Sequence, residues 1–139
     1  MTTDIIVGYP GETEDEFQET FRLMEEVAFD DAYIFKFSPR PGTDAMGYRD
    51  DVSKKDKEAR NLSLLRLQET ASKQKLRAQV GEMVEVLVEG MSKKDKTEYK
   101  GRTRTGREVV FRGKALLPGD LVSVEVESLF GKTLLGARK

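Results

Sequence analysis

The residues able to do chemistry in this chain are few in kind. Its 139 residues include no Cys and no His. That removes thiol nucleophiles, imidazole bases, disulfides and metal sites built on Cys or His. Carboxylates, Lys, Tyr and hydroxyls remain for proton transfer, and the chain is expected to catalyse nothing by itself. Three groupings are left to consider. Nine cations lie between Lys93 and Lys114: Lys93, Lys94, Lys96, Lys100, Arg102, Arg104, Arg107, Arg112 and Lys114. Asp95, Glu98 and Glu108 oppose them, which leaves +6 over 22 residues. Tyr99 and Phe111 are interleaved. Cations for phosphates and rings for stacked bases are what a single-stranded nucleic-acid surface needs. A basic hairpin with Phe111 in the core has the same composition. The second grouping, Gly8-Tyr9-Pro10-Gly11, can offer backbone amides at a helix start, where anions bind. It has no GxGxxG and no P-loop Lys, and Glu14 to Glu16 repel an anion. The third is Arg40, set between Pro39 and Pro41. Its planar guanidinium suits a carboxylate or phosphate, and a surface ion pair is the plainer use.

The elements that must position these groups can be read from patterning. Ile5, Ile6 and Val7 suit a strand covered on both faces. Gly8, Pro10 and Gly11 end it. Thr13 with Glu16 three residues on forms a capping-box signature, and acids in the first turn favour the helix dipole. Phe17, Phe21, Met24 and Val27, widened by Leu23, predict an amphipathic helix over 13–27. Ala32 to Ser38 reads as a second strand, and Ser38 to Thr43 as a stiff turn. A helix is predicted from Ser53 to Gln79, with Ser53 as cap and Leu62, Leu65, Leu67 and Leu76 as apolar positions. From Gly81 the texture changes. Five short strands punctuated by glycines predict a small closed or nearly closed β-barrel. The domain boundaries expected are 1–52, 53–79 and 80–139.

Charge divides along the same line. Residues 1–52 carry 13 acids and 4 bases, residues 53–139 carry 12 acids and 20 bases. A basic half points to a nucleic-acid or membrane-surface partner. No run of about 18 apolar residues is present to span a membrane, and the N-terminus lacks the pattern of a signal peptide. A cytoplasmic location is the expectation.

Taken together, TDIIVGYPGETEDEF and FSPRPGT resemble the C-terminal part of the radical S-adenosylmethionine domain of the methylthiotransferases. LVEG, GRT, the VVF strand, PGD and LFGKTLLG resemble the TRAM domain that ends those enzymes. The resemblance covers essentially the whole chain. It implies an α/β remnant of a partial (β/α) radical SAM barrel, followed by a five-stranded antiparallel OB-like barrel. Arg40 in SPRPGT favours the branch that modifies tRNA, by 2-methylthiolation of N6-isopentenyladenosine next to the anticodon. The alternatives are the branch that modifies a ribosomal protein and a stand-alone RNA-binding module. The full-length enzymes use S-adenosylmethionine and two [4Fe–4S] clusters. The Cys-x3-Cys-x2-Cys motif has no counterpart here, so the resemblance implies a C-terminal fragment that is inactive alone and binds no cofactor by itself. Its expected partners are the tRNA anticodon stem-loop and the cluster-bearing N-terminal part. By resemblance Gly8, Tyr9, Pro10 and Phe37 line the cofactor, and Arg40 positions substrate or cofactor. Lys100, Arg102, Arg104, Arg107 and Phe111 touch RNA. No residue is assigned a catalytic or metal-binding role.

Overall fold

A computed structural model describes residues 1–93 and 95–139; Lys94 of the basic run lies outside the described residues. The chain divides into two units, Met1–Ser72 and Lys73–Lys139.

In the first unit, β1 (Thr2–Val7) and β2 (Asp31–Lys36) pair in parallel, with Ile5 opposite Ile34 and Ile6 opposite Phe35. The connection is α1 (Glu14–Val27), as a parallel pair requires. The capping box is complete. Thr13 N–H donates to Glu16 Oε2 at 2.8 Å, and Glu16 N–H donates to Thr13 Oγ1 at 3.3 Å. Ala28 ends the helix in the left-handed region, its N–H donating to the Met24 carbonyl. Val7, Phe17, Met24 and Leu64 form the core, with Ile5, Phe21, Ile34 and Leu67 packed against it. Each fully buried side chain of this size contributes about 1.5–3 kcal/mol. Leu23, expected to widen the apolar stripe, is exposed instead. The strand expected to be covered on both faces is covered on one. The period of two sends Ile6, Tyr33 and Phe35 to the face opposite the core, and all three are more than half exposed.

The long helix α2 runs from Lys54 to Ala78, and Ser53 caps it by accepting from Asp56 N–H at 3.0 Å. Of its expected apolar positions, Leu67 packs against the core and Leu76 is buried, whereas Leu62 and Leu65 are exposed. In the first unit the buried residues of α2 are Lys57, Arg60, Leu64, Gln68 and Ser72, one face at spacings of three and four. Polar side chains can occupy that face because each is hydrogen bonded. Gln68 Nε2 donates to the Phe29 carbonyl and to Ser72 Oγ, both at 2.9 Å, and Ser72 Oγ donates to the Asp30 carbonyl.

The second unit is a closed barrel of β3 (Met83–Met91), β4 (Glu98–Thr103), β5 (Glu108–Arg112), β6 (Leu121–Phe130) and β7 (Thr133–Arg138). The order around the barrel is β3-β4-β5-β7-β6, a five-stranded Greek-key arrangement of the OB type. The barrel is mixed and not wholly antiparallel, because β5 and β7 pair in parallel. The crossover from β5 to β7 places two strands of like direction side by side. Val86, Val88, Tyr99, Val109, Phe111, Val124, Val126 and Leu134 fill the interior. Closure brings backbones close at Gly101 and Gly136. A Cβ at either would stand 2.3 Å from the carbonyl oxygen of Leu87 or Glu125. Among the described residues, no helix is long and apolar enough to cross a membrane.

Candidate functional site

Two places gather chemistry. The first is the loop Gly8 to Thr13 at the carboxyl ends of β1 and β2, where open α/β sheets place their ligands. Gly8 has φ +70, and its N–H donates to Glu12 Oε1 at 2.9 Å. Glu12 is held in turn by Arg60, whose Nη1 donates to Glu12 Oε1 at 2.6 Å and to the Glu12 carbonyl at 3.1 Å. The Arg60 guanidinium lies 5.5 Å from the centre of the Phe17 ring, a cation–π placement. Lys57 packs directly on Gly8, and a Cβ there would meet Lys57 Cγ at 2.4 Å. Lys57 Nζ donates to Asp50 Oδ2 at 2.5 Å and sits 5.2 Å from the centre of the Phe37 ring. Gly11 N–H donates to Asp51 Oδ1 at 2.7 Å. Residues of α2 and of the segment before it therefore fix the loop from the side.

On that loop, Tyr9 and Phe37 meet edge to face at 5.2 Å, and Tyr48 meets Tyr9 at 6.4 Å. Tyr9 is 41% exposed. Gly8 is buried and Pro10 half-buried. Gly8, Tyr9, Pro10 and Phe37 are thus brought together, and a flat apolar group could rest on the rings. Arg40 is exposed. Its carbonyl accepts from Thr43 N–H and Thr43 Oγ1, at 3.3 and 2.7 Å. The donor set does not suit an iron–sulfur cluster. No Cys or His is present in the sequence, and among the described residues no acidic cluster could hold a metal ion.

The second place is the outer face of the barrel. Cross-strand register sets Lys100 beside Val110, Glu98 beside Arg112, and Arg102 beside Glu108. Arg102 and Arg104 are exposed but paired. Arg102 Nε donates to Glu89 Oε1 at 2.9 Å, and Arg104 Nε donates to Glu85 Oε1 at 2.8 Å. Exposed pairs of this kind are worth less than about 1 kcal/mol, so a phosphate can compete for either. The loop between β3 and β4 carries Lys93 and Lys96. Its Asp95 is held below the usual carboxylate range, chiefly by the Thr97 N–H, then by the Thr97 hydroxyl and, least, by Arg112.

Two of the expected RNA contacts are withdrawn. Phe111 is 1% exposed and stacks on Tyr99 at 6.2 Å inside the barrel. This corrects its placement as a base platform: strand alternation sends residue 111 inward with Val109. Arg107 is 9% exposed, which leaves little of it for a ligand. Sequence reasoning gave no role to Phe130, the one barrel aromatic that is exposed. Its signal was the Phe-Gly-Lys turn between two strands. Lys57, Arg60 and Glu12 also went unassigned, and nothing in the pattern of α2 distinguishes the first two from a solvated face.

Comparison with known proteins places these features. Residues 77–137 match the TRAM domain family. A tRNA-2-methylthio-N(6)-dimethylallyladenosine synthase of Protochlamydia amoebophila is 47% identical over 136 residues, 98% of this chain and 30% of its own length. Its counterpart in Methylacidiphilum infernorum is 43% identical over 98% of this chain and 29% of its own length. That of Photorhabdus laumondii is 40% identical with the same two coverages. The chain thus spans about three tenths of the length of the curated relatives it matches.

Proposed function

We propose that this chain, a homologue of the TRAM-bearing C-terminal region of the tRNA methylthiotransferases, binds tRNA at the anticodon stem-loop through the outer face of β4 and β5. The observation that carries the reading is the placement of Lys100, Arg102 and Arg112 on that face of a TRAM barrel. In an OB-type barrel the second and third strands form the oligonucleotide face, and here those strands are β4 and β5. Arg104 and the cations of the β3–β4 loop extend it.

The first unit serves the cofactor side of the same enzyme. Gly8, Tyr9, Pro10 and Phe37 contact S-adenosylmethionine, and Arg40 positions substrate or cofactor. When bound in the complete enzyme, S-adenosylmethionine supplies both the radical and the methyl group. Arg60 and Lys57 keep the loop in shape for it. The reaction served is 2-methylthiolation of N6-isopentenyladenosine beside the anticodon, in the cytoplasm. The iron–sulfur clusters that this reaction uses are held by residues other than those of this chain.

The test is binding of an anticodon stem-loop RNA to this chain across a salt series. Replacing Lys100 and Arg112 with Ala lowers the slope of log affinity against log salt by about 0.7 for each lost single-strand phosphate contact. An unchanged slope, or no salt-dependent binding by the wild type, overturns the reading. Capture of a ribosomal protein in place of the RNA moves it to the ribosomal-protein branch.

A further inference from the structure

The barrel contains three aromatic residues, Tyr99, Phe111 and Phe130. Tyr99 and Phe111 are 7% and 1% exposed and occupy the core. Phe130 is 75% exposed. It ends β6 and pairs with Thr133 across a two-residue turn, in which Gly131 takes φ +59. In barrel order this turn joins the fourth and fifth strands, one of the two loops that flank the oligonucleotide face of OB-type barrels. The other loop joins β3 to β4 and carries Lys93 and Lys96.

On strands β5, β6 and β7 lies a shallow cleft of about 440 Å³, lined by Val110, Arg112, Ser128, Leu135 and Ala137, with Glu98 of β4 and Glu127 also on its wall. A break in the β6–β7 register between Val126 and Ser128 accompanies it. Phe130 is two residues beyond Ser128 on the same strand, and the intervening Leu129 packs against the core. Ser128 and Phe130 are both exposed. Two residues along a strand rise about 6.7 Å, within the span of one nucleotide unit. The cleft mixes the apolar side chains of Val110, Leu135 and Ala137 with polar groups, and its two carboxylates repel phosphate. It therefore suits the flat, uncharged part of a nucleotide, with the phosphates lying toward Arg112 and Lys100.

We infer that Phe130 is a stacking platform for an unpaired base, which enters the cleft beside it. The inference rests on the RNA-binding reading above and adds to it the residue that holds an unpaired base of the stem-loop. Loss of a base–aromatic stack costs about 1–3 kcal/mol by alanine substitution, and the middle of that range is on the order of 30-fold in affinity.

The experiment measures binding of the whole chain to a hairpin RNA with an unpaired loop and to a blunt duplex of the same stem sequence. Circular dichroism first checks that each variant is folded. F130A is expected to weaken hairpin binding by about 30-fold, with the salt slope unchanged. F130W restores hairpin binding, and duplex binding is the same in all three proteins. F130A binding the hairpin as wild type does overturns the stacking site and leaves the RNA-binding reading standing. So does an equal loss on hairpin and duplex. A wild type that binds neither RNA overturns both.

Discussion

Arg60 in the first unit and Arg104 in the barrel each donate to a glutamate, at 2.6 and 2.8 Å. Their settings are opposite. The Arg60 and Glu12 side chains are 9% and 13% exposed, those of Arg104 and Glu85 are 84% and 42% exposed. The buried guanidinium also stands over Phe17 and holds the Glu12 carbonyl. It is part of the structure of the loop. The exposed one is tethered by a weak bond that water and salt already contest. The same residue type therefore builds one site and remains available at the other.

Arg60→Met tests the first half of the contrast and carries the largest effect. It leaves the Glu12 carboxylate poorly solvated and without its cation, which costs about 3–5 kcal/mol for a buried pair. Hydrogen exchange at Gly8 and Glu12 amides reads the loss locally. The double variant Arg60→Met, Glu12→Met is expected to recover much of it, because no lone charge remains. A cost under about 1 kcal/mol for the single variant would show that the pair does not hold the loop.

Glycine replacement sharpens the contrast between a strand of a closed barrel and an exposed turn. At Gly101 a new Cβ meets the Leu87 carbonyl oxygen at 2.3 Å and Val86 Cγ1 at 2.6 Å. One contact is backbone in a closed barrel, so the strands must shift. Gly101→Ala is expected to cost about 1–3 kcal/mol or more, read as faster exchange of β3 and β4 amides. At Gly47 in the first unit nothing lies within 4 Å of a Cβ, and alanine there is expected to stay within about 0.5 kcal/mol of wild type. Arg104→Ala, at the exposed end of the scale, is expected to change barrel stability by less than about 0.5 kcal/mol. Hydrogen exchange of the β3 and β4 amides measures it.

These contrasts also explain what could be read in the sequence. The barrel was legible because Val84, Val86 and Val88 alternate with exposed residues, and glycines mark the connections after β4, β5 and β6. α1 was legible because Thr13, Glu16, Phe17 and Met24 state its cap and its face in residue types. The parallel pairing of β5 with β7 was not legible, because strand patterns carry no direction. Phe111 was ambiguous for a related reason. An aromatic in a strand serves a core or a surface, and only register decides. The buried face of α2 was hidden because Lys57, Arg60, Gln68 and Ser72 are polar. The partners of the last three, Glu12, Phe29 and Asp30, lie 30 to 50 positions away in sequence. Hydropathy cannot report a burial that is made acceptable by distant partners.

The smallest effects come from groups that are exposed in both units, and their signs differ. Glu16 is held below the ordinary glutamate value by the Thr13 N–H first and the Thr13 hydroxyl second. Its folded pKa is depressed, so its contribution is complete above the unfolded value and is lost as pH falls through the folded one. Lys139 at the end of the barrel is raised, first by its hydrogen bond to Glu125 and then by the charge of Glu125. Its contribution is complete below the unfolded lysine value and is lost as pH rises through the folded one. Acid should therefore loosen the start of α1, and strong base the end of β7. Glu14 and Asp15 share that turn, and Arg60 Nη2 lies 3.4 Å from Glu14 Oε2, so substitution must isolate Glu16. Glu16→Gln preserves a capping-box side chain while removing the titrating group. Exchange of the Thr13 and Glu16 amides should accelerate less on acidification in this variant than in wild type. Equal acceleration would show that the Glu16 carboxyl does not carry the acid sensitivity.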